Sequence, residues 1–276
     1  MRIVHIVPGT GGTFYCQNCV RDNSLVQALR ARGHDVIVLP LYLPLLVDAS
    51  DPTTDAPIFF GGINVYLQQR FGIFRKTPRW LDRLLDAKWM LRRAARRAGS
   101  ISAAKLGPMT VSMLEGPQGN QRKELDRLVA WARNQERPDV IHISNALLLG
   151  LVGELGRALE APIVCSLQDE DTWLDAMEPP YNSRCWEAMA ERASDVDAFV
   201  AVSEWYADQM TVRMGVPRDQ IAVVPLAVDL DDVEPAPLPF EPPVIGYLSR
   251  MSESLGFGLL VDAFIELKQD PRLRDL

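Results

Sequence analysis

The chain has 276 residues, 47% hydrophobic and 24% charged, enough to bury a core in one large domain or two modest ones. No apolar run reaches the roughly 18 residues of a membrane span, and the opening "MRIVHIVPG" is too short and strand-like for a signal peptide, so a cytoplasmic protein is expected. The net charge of −7 argues against general nucleic-acid binding, which needs a concentrated positive surface. That average hides an asymmetry: from Arg70 to Lys105 eleven Lys and Arg face only Asp82 and Asp86, a local +9 that leaves −16 for the remainder.

Short runs rich in Val and Ile alternate with segments of helical apolar spacing. The runs are "RIVHIV" (2–7), "DVIVLPLY" (35–42), "DVIHIS" (139–144), "PIVCSL" (162–167), "AFVAVS" (198–203), "IAVVPL" (221–226) and "VIGYLS" (244–249). Near-continuous apolar strands suit a parallel sheet covered on both faces, and the repeated β-α unit predicts an α/β, Rossmann-like doubly wound fold. In the first helix Leu25, Val26 and Leu29 form one stripe, and Gly33 supplies the stop.

Two stretches break the rhythm. Residues 44–137 read as an insertion in a first domain of residues 1–228, with a hairpin around "IFFGGINVYLQQ" (58–69) and helices near 79–97 and 121–136. Residues 229–243 carry five prolines and five acids, the composition of an extended linker. Residues 244–276 then begin again as strand, loop and helix, the opening of a second domain that is expected to be truncated.

The segment "VPGTGGTFYCQNCVRDN" (7–23) behind the first strand is the chain's most unusual loop. A dinucleotide fingerprint fails, because Phe14 stands where the third glycine belongs and the second strand ends in Leu39-Pro40-Leu41 rather than an acid. A P-loop fails too, since no Gly-Lys-Ser/Thr follows. Two readings remain: bare backbone amides at the carboxyl edge of a parallel sheet that hold an anion or hydroxyl, or a tight turn that merely needs φ > 0. Cys16 and Cys19 are either packing thiols or a metal or redox pair, although Cys165, Cys185 and three histidines without finger spacing complete no zinc site. Four cysteines are too few for a disulfide scaffold. Asn18, Arg21 and Asp22 either face the cleft or cap the helix.

Six motifs together resemble family 4 glycosyltransferases of the GT-B fold. They are the Gly-Gly loop with "ALRARGHDVIVLP" (28–40), "RPDVIHIS" (137–144), "APIVCSLQDED" (161–171), "VDAFVAVSEWYADQM" (196–210), "IAVVPLAVDL" (221–230) and "VIGYLSRMSESLG" (244–256). The resemblance implies two Rossmann-like domains, acceptor-binding then donor-binding, transfer from a nucleotide-sugar with retention, and no metal or other cofactor. It implies that Gly11 and Gly12 approach the donor phosphates, that Arg250 neutralises the diphosphate, and that Ser203 and Glu204 occupy a substrate-binding strand end. Arg250 read alone also fits a surface salt bridge, and Ser203-Glu204 a helix cap. Asn18 joins the substrate-binding candidates, and Gln168 and Asp169 stand where many members have catalytic His-Asp.

The sequence departs from the family at Leu255, where a second phosphate-binding Lys is usual, and at Gln168, which cannot exchange a proton near neutral pH. The family's Glu-x7-Glu motif lies beyond the residues present, so this chain alone is expected to be inactive. These departures keep open an alternative, a non-catalytic binding module for a glycan, nucleotide or partner subunit. The acceptor is a glycan, lipid or small molecule. Arg92, Arg93, Arg96 and Arg97 gather at the end of the 79–97 helix and suit either a solvated face or peripheral contact with an anionic membrane surface.

Overall fold

A computed structural model describes residues 1–8, 17–41, 59–78, 106–227, 234–235, 244–249, 251 and 253–273. The chain divides into two units, Met1–Val228 and Asp229–Leu276.

Among the described residues the first unit holds six strands: β1 (Arg2–Pro8), β2 (Asp35–Leu41), β3 (Val140–Ile143), β4 (Ile163–Leu167), β5 (Ala198–Ala201) and β6 (Ile221–Val223). All pair in parallel, in the order β2-β1-β3-β4-β5-β6. Winding therefore runs outward in one direction from β1 to β2 and in the other from β3 to β6. Right-handed crossovers then place the β1–β2 helix, α1 (Gln17–Ala31), on the face opposite the later helices. Alternation along the strands records this. Val4, Ile6, Leu39 and Leu41 join the large core, and Ile3, Val7, Val36 and Val38 pack with Val26 and Leu29 of α1. Gly33, at φ 83°, ends that connection in the left-handed region.

The large core collects α2 (Gly62–Arg70), α3 (Gly107–Leu114), α4 (Arg122–Ala132), α5 (Val152–Leu159), α6 (Glu170–Asp175), α7 (Tyr181–Ala193) and α8 (Glu204–Met214). Of the insertion's helices, α4 falls within 121–136, whereas 79–97 lies outside the described residues. The hairpin expected at 58–69 is replaced by a single parallel bridge from Phe59 to Leu41, followed by α2. The Gly61-Gly62 pair opens a helix rather than turning a ribbon, because Asn64 and Gln68 at i and i+4 face one partner, the buried Glu124 of α4. Arg127 completes that polar cluster from one turn along α4, donating to Glu124 at 2.7 Å. Tertiary hydrogen bonding outweighs the local glycine signal.

In the second unit α9 (Phe257–Leu267) follows Gly256, and Tyr247 packs its ring on Phe257 with centroids 5.0 Å apart. The seventh expected strand is absent: 244–249 carries no strand. A strand needs a neighbour for its N–H and C=O groups, and among the described residues of this unit there is none.

Glycine is required where α3 meets the 3-10 turn Ala146–Leu151. A Cβ on Gly150 would lie 1.9 Å from the Met113 carbonyl oxygen, and one on Gly116, at φ 58°, would lie 2.2 Å from that of Gly150. Both obstacles are backbone, so Gly150→Ala should destabilise the unit by at least about 2 kcal/mol in urea unfolding. A change below about 0.5 kcal/mol would contradict this packing.

Candidate active site at the carboxyl edge of the sheet

The winding reverses between β1 and β3, and the carboxyl ends of strands at such a reversal are where open parallel sheets form a ligand crevice. Of the residues expected there, Gly11, Gly12 and Arg250 lie outside the described residues. Asn18 sits in the first turn of α1, at the crevice end of that helix, with only its backbone described.

Gln168 and Asp169 follow β4 directly. Asp169 is exposed at the N-cap of α6, and Gln168 is 8% exposed, its side-chain amide donating to the Ser144 carbonyl at the end of β3. The residue that organises this edge is the next one. Buried Glu170 accepts from the Ala146 N–H at 2.8 Å, the Gln168 N–H at 2.8 Å and the Tyr206 hydroxyl at 2.7 Å. It thus ties the ends of β3 and β4 to the start of α8. Burial pushes its carboxyl above the usual range, against the lowering pull of these three donors. Burial, followed by this carboxylate, raises the Tyr206 hydroxyl, which stays a neutral donor.

Ser203 accepts from the Tyr206 N–H at 3.2 Å as the N-cap of α8. Glu204 is exposed in the first helical turn, paired with Arg218. The helix-cap alternative thus describes how both side chains are used in the folded chain.

Beneath the crevice lies a buried polar chain on the α1 face. His5 and His142, register partners on β1 and β3, stack with centroids 4.6 Å apart and face each other through Nδ1 atoms at 2.6 Å. One Nδ1 must carry the hydrogen and the other the lone pair. Ser166 Oγ lies 2.9 Å from His142 Nε2, and Asp22 Oδ1 lies 3.8 Å from His5 Nε2. With the Ser166 hydroxyl donating to His142 Nε2, and His142 Nδ1–H donating to His5, the His5 Nε2–H points toward the Asp22 carboxylate; every polarity then agrees. Burial, then His142 and Arg21, drive His5 well below its ordinary pKa; burial and Arg21 lower His142 to about 4.

Arg21, in the second turn of α1, is half-buried above this chain. Its charge is felt by His5, His142 and Cys165 and in turn feels Asp22, Glu170 and Asp169. Burial lowers its pKa, yet the guanidinium stays charged. Cys165 and Cys185 are free and buried, with burial pushing the Cys185 thiol up to about 11, whereas the side chains of Cys16 and Cys19 lie outside the description. Among the described residues no three His, Cys, Asp or Glu side chains are grouped to hold a metal ion, and no helix is long and apolar enough to cross a membrane.

Residues 20–227 match the glycosyl transferase 4-like domain. The chain belongs to this family. Two solved structures also align with it. The apo lipopolysaccharide outer core galactosyltransferase WaaB aligns at 14% identity and TM-score 0.42, over 84% of this chain and 48% of its own. Arabidopsis thaliana UGT89C1, complexed with UDP-L-rhamnose, aligns at 16% identity and TM-score 0.46, over 98% and 55%. The chain thus spans about half the length of these structures. No curated protein matches it.

For a glycosyl transferase 4-like domain, Glu170, Tyr206 and the His5–His142 pair were missed in sequence. A histidine inside each of two apolar strands was the local signal for the pair. Glu170 hid between Asp169 and Asp171, and its partners Ala146 and Tyr206 are distant in the chain, so no spacing marked it.

Two predictions follow from this geometry. Glu170→Leu leaves two backbone N–H groups and a phenol without their acceptor, and should cost on the order of 3 kcal/mol in urea unfolding, with a loss under about 0.5 kcal/mol contradicting the clamp. The histidines set an acid limit: unfolded, they protonate near their ordinary value of about 6.5, whereas the folded chain holds them neutral. The unfolded state then binds more protons below that value, so stability is complete above it and falls as pH drops toward 4. The His142 share is on the order of 3 kcal/mol by pH 4. His142→Asn should flatten the slope of unfolding free energy between pH 6.5 and 4, and an unaltered slope would refute the buried neutral pair.

Proposed function

We propose that the first unit is the acceptor-side half of a retaining glycosyltransferase that uses a nucleotide-sugar donor and a sugar-bearing or other hydroxyl acceptor. Family membership supports the transferase class. The observation that carries the reading is the convergence of Gln168, Asp169 and the Glu170 clamp on the carboxyl edge beside the winding reversal. In this reading Asp169 contacts the acceptor at the crevice rim, and Gln168 holds a hydroxyl rather than moving a proton. Gly11 and Gly12 present amides to the donor phosphates, and Asn18 lines the same crevice. Ser203 and Glu204 border it through the α8 start they cap. Arg250 faces the diphosphate, where growing negative charge on the leaving group needs a fixed cation. No metal or other cofactor is called for, and the protein works in the cytoplasm, with the 79–97 segment contacting an anionic membrane surface.

A second reading is favoured by one feature. Gln168 stands where a proton-carrying His is usual, and its amide is committed to the Ser144 carbonyl, which suits a binding module without catalysis.

Enzyme carrying this sequence, offered UDP-, GDP- and ADP-sugars with simple glycoside acceptors, should transfer from one donor with the anomeric configuration kept, as read by proton NMR of the product. Asp169→Asn should lower kcat/KM by about 10–100-fold. Binding of a nucleotide-sugar without turnover would favour the second reading, and inversion of configuration would overturn retention.

A further inference from the structure

Helix α2 has two unlike faces. Asn64 and Gln68 are buried against Glu124, while Tyr66 and Arg70, two positions further round the helix, are exposed. The 3-10 turn Gly72–Lys76 follows and buries none of its residues. Tyr66, Phe71 and Ile73 are 59%, 50% and 75% exposed, which puts three large apolar side chains in water within one short stretch. Such residues are ordinary when scattered singly; gathered, they mark a contact surface. The turn is nonetheless held firmly. The Phe71 N–H donates to the Leu67 carbonyl at 2.8 Å, Arg75 Nε to the Gln68 carbonyl at 2.9 Å, and Lys123 of α4 to the Phe74 carbonyl at 3.0 Å and to Thr77 Oγ1 at 2.7 Å. Its backbone is tied to the unit while its apolar tips face outward.

Charge around these tips has one sign. From Ala56 to Leu81 the sequence has no Asp or Glu, and Arg70 and Lys76 have no ion-pair partner among the described residues. The carboxylates of the adjoining α4, Glu124 and Asp126, are already paired with Arg127 and Arg122. We propose that Tyr66, Arg70, Phe71, Ile73 and Lys76 form a docking surface for an anionic lipid bilayer. Phe71 and Ile73 enter the boundary between headgroups and acyl chains, Tyr66 lies at headgroup level, and Arg70 and Lys76 meet lipid phosphates. This surface is separate from the contact assigned to 79–97, which rests on charge alone, and it stands independently of the sugar-transfer reading. Size decides against a protein partner: a stable interface takes about 800 Å² from each side, more than three partly exposed side chains supply, whereas a bilayer needs no complementary shape. One-signed charge points the same way, because headgroups offer negative charge without a fixed pattern.

Vesicle flotation with the full chain tests this, using phosphatidylcholine alone or with about one-third phosphatidylglycerol. The anionic vesicles should bind at least about tenfold more tightly than the neutral ones, with the preference lost in high salt. Phe71→Ser combined with Ile73→Ser should weaken anionic-vesicle binding about tenfold, and Arg70→Gln combined with Lys76→Gln by a similar factor. Ile73→Trp should tighten it, a gain that a misfolded variant cannot produce. All four positions are exposed, so thermal midpoints should stay at the parent's value. Equal binding to both vesicles, or binding to neither, overturns the proposal. If the Phe71→Ser, Ile73→Ser variant binds like the parent while Arg92→Gln combined with Arg93→Gln does not, membrane contact belongs to 79–97 and this surface falls. A dimer in sedimentation that the Phe71→Ser, Ile73→Ser variant abolishes, without vesicle binding, gives the surface to a second copy and likewise overturns it. Nucleotide-sugar binding measured alongside should be unchanged in these variants, so failure of the surface leaves the transferase reading standing.

Discussion

Everything at the crevice depends on the change of direction between β1 and β3. Because parallel strands need long right-handed crossovers, reversing the order of addition sends α1 to one face and the later helices to the other. The same topological step puts His5 beside His142, brings the first turns of α1 over the sheet edge, and sets the ends of β3 and β4 next to each other.

The carboxyl ends of the strands carry amides and carbonyls that must be bonded to something. Glu170 meets part of that demand from within, holding two of these amides and the Tyr206 hydroxyl on one carboxylate. The buried histidines meet another part while staying neutral, so their polarity is shared along a line from Ser166 toward Asp22 without an isolated charge in the core. Gln168 Oε1 and Ser144 Oγ are left over at this edge, and Gln68 Oε1 and Thr211 Oγ1 are left over elsewhere in the unit.

Six of seven strands were legible in sequence because each begins as a run rich in apolar residues, a signal that depends on neighbours only through hydropathy. The seventh, 244–249, has the same local signal but no partner strand among the described residues, and pairing cannot be read from one run. Gly61-Gly62 misled in the opposite sense: the dipeptide suits a turn, but the contacts of Asn64 and Gln68 with Glu124, some sixty residues away, make it a helix start. Gln168 and Asp169 were found from the family motif. Glu170, one residue on, was not, since what distinguishes it from Asp169 and Asp171 is three donors supplied by other parts of the chain. Ser203 and Glu204 illustrate a residue pattern with two physical uses, and the observed hydrogen bond from the Tyr206 N–H is the capping one.

The central claim is that this family member binds its sugar ligands at the carboxyl ends of β1, β3 and β4. An amide proton–nitrogen correlation map, recorded while a nucleotide-sugar is titrated into the isotopically labelled chain, tests it most directly. The largest shifts should cluster at Ser144–Ala146, Gln168–Glu170 and the first turns of α1. Shifts centred instead on the amino-terminal ends of the strands, around Asp35, Val140 and Ile163, would contradict it.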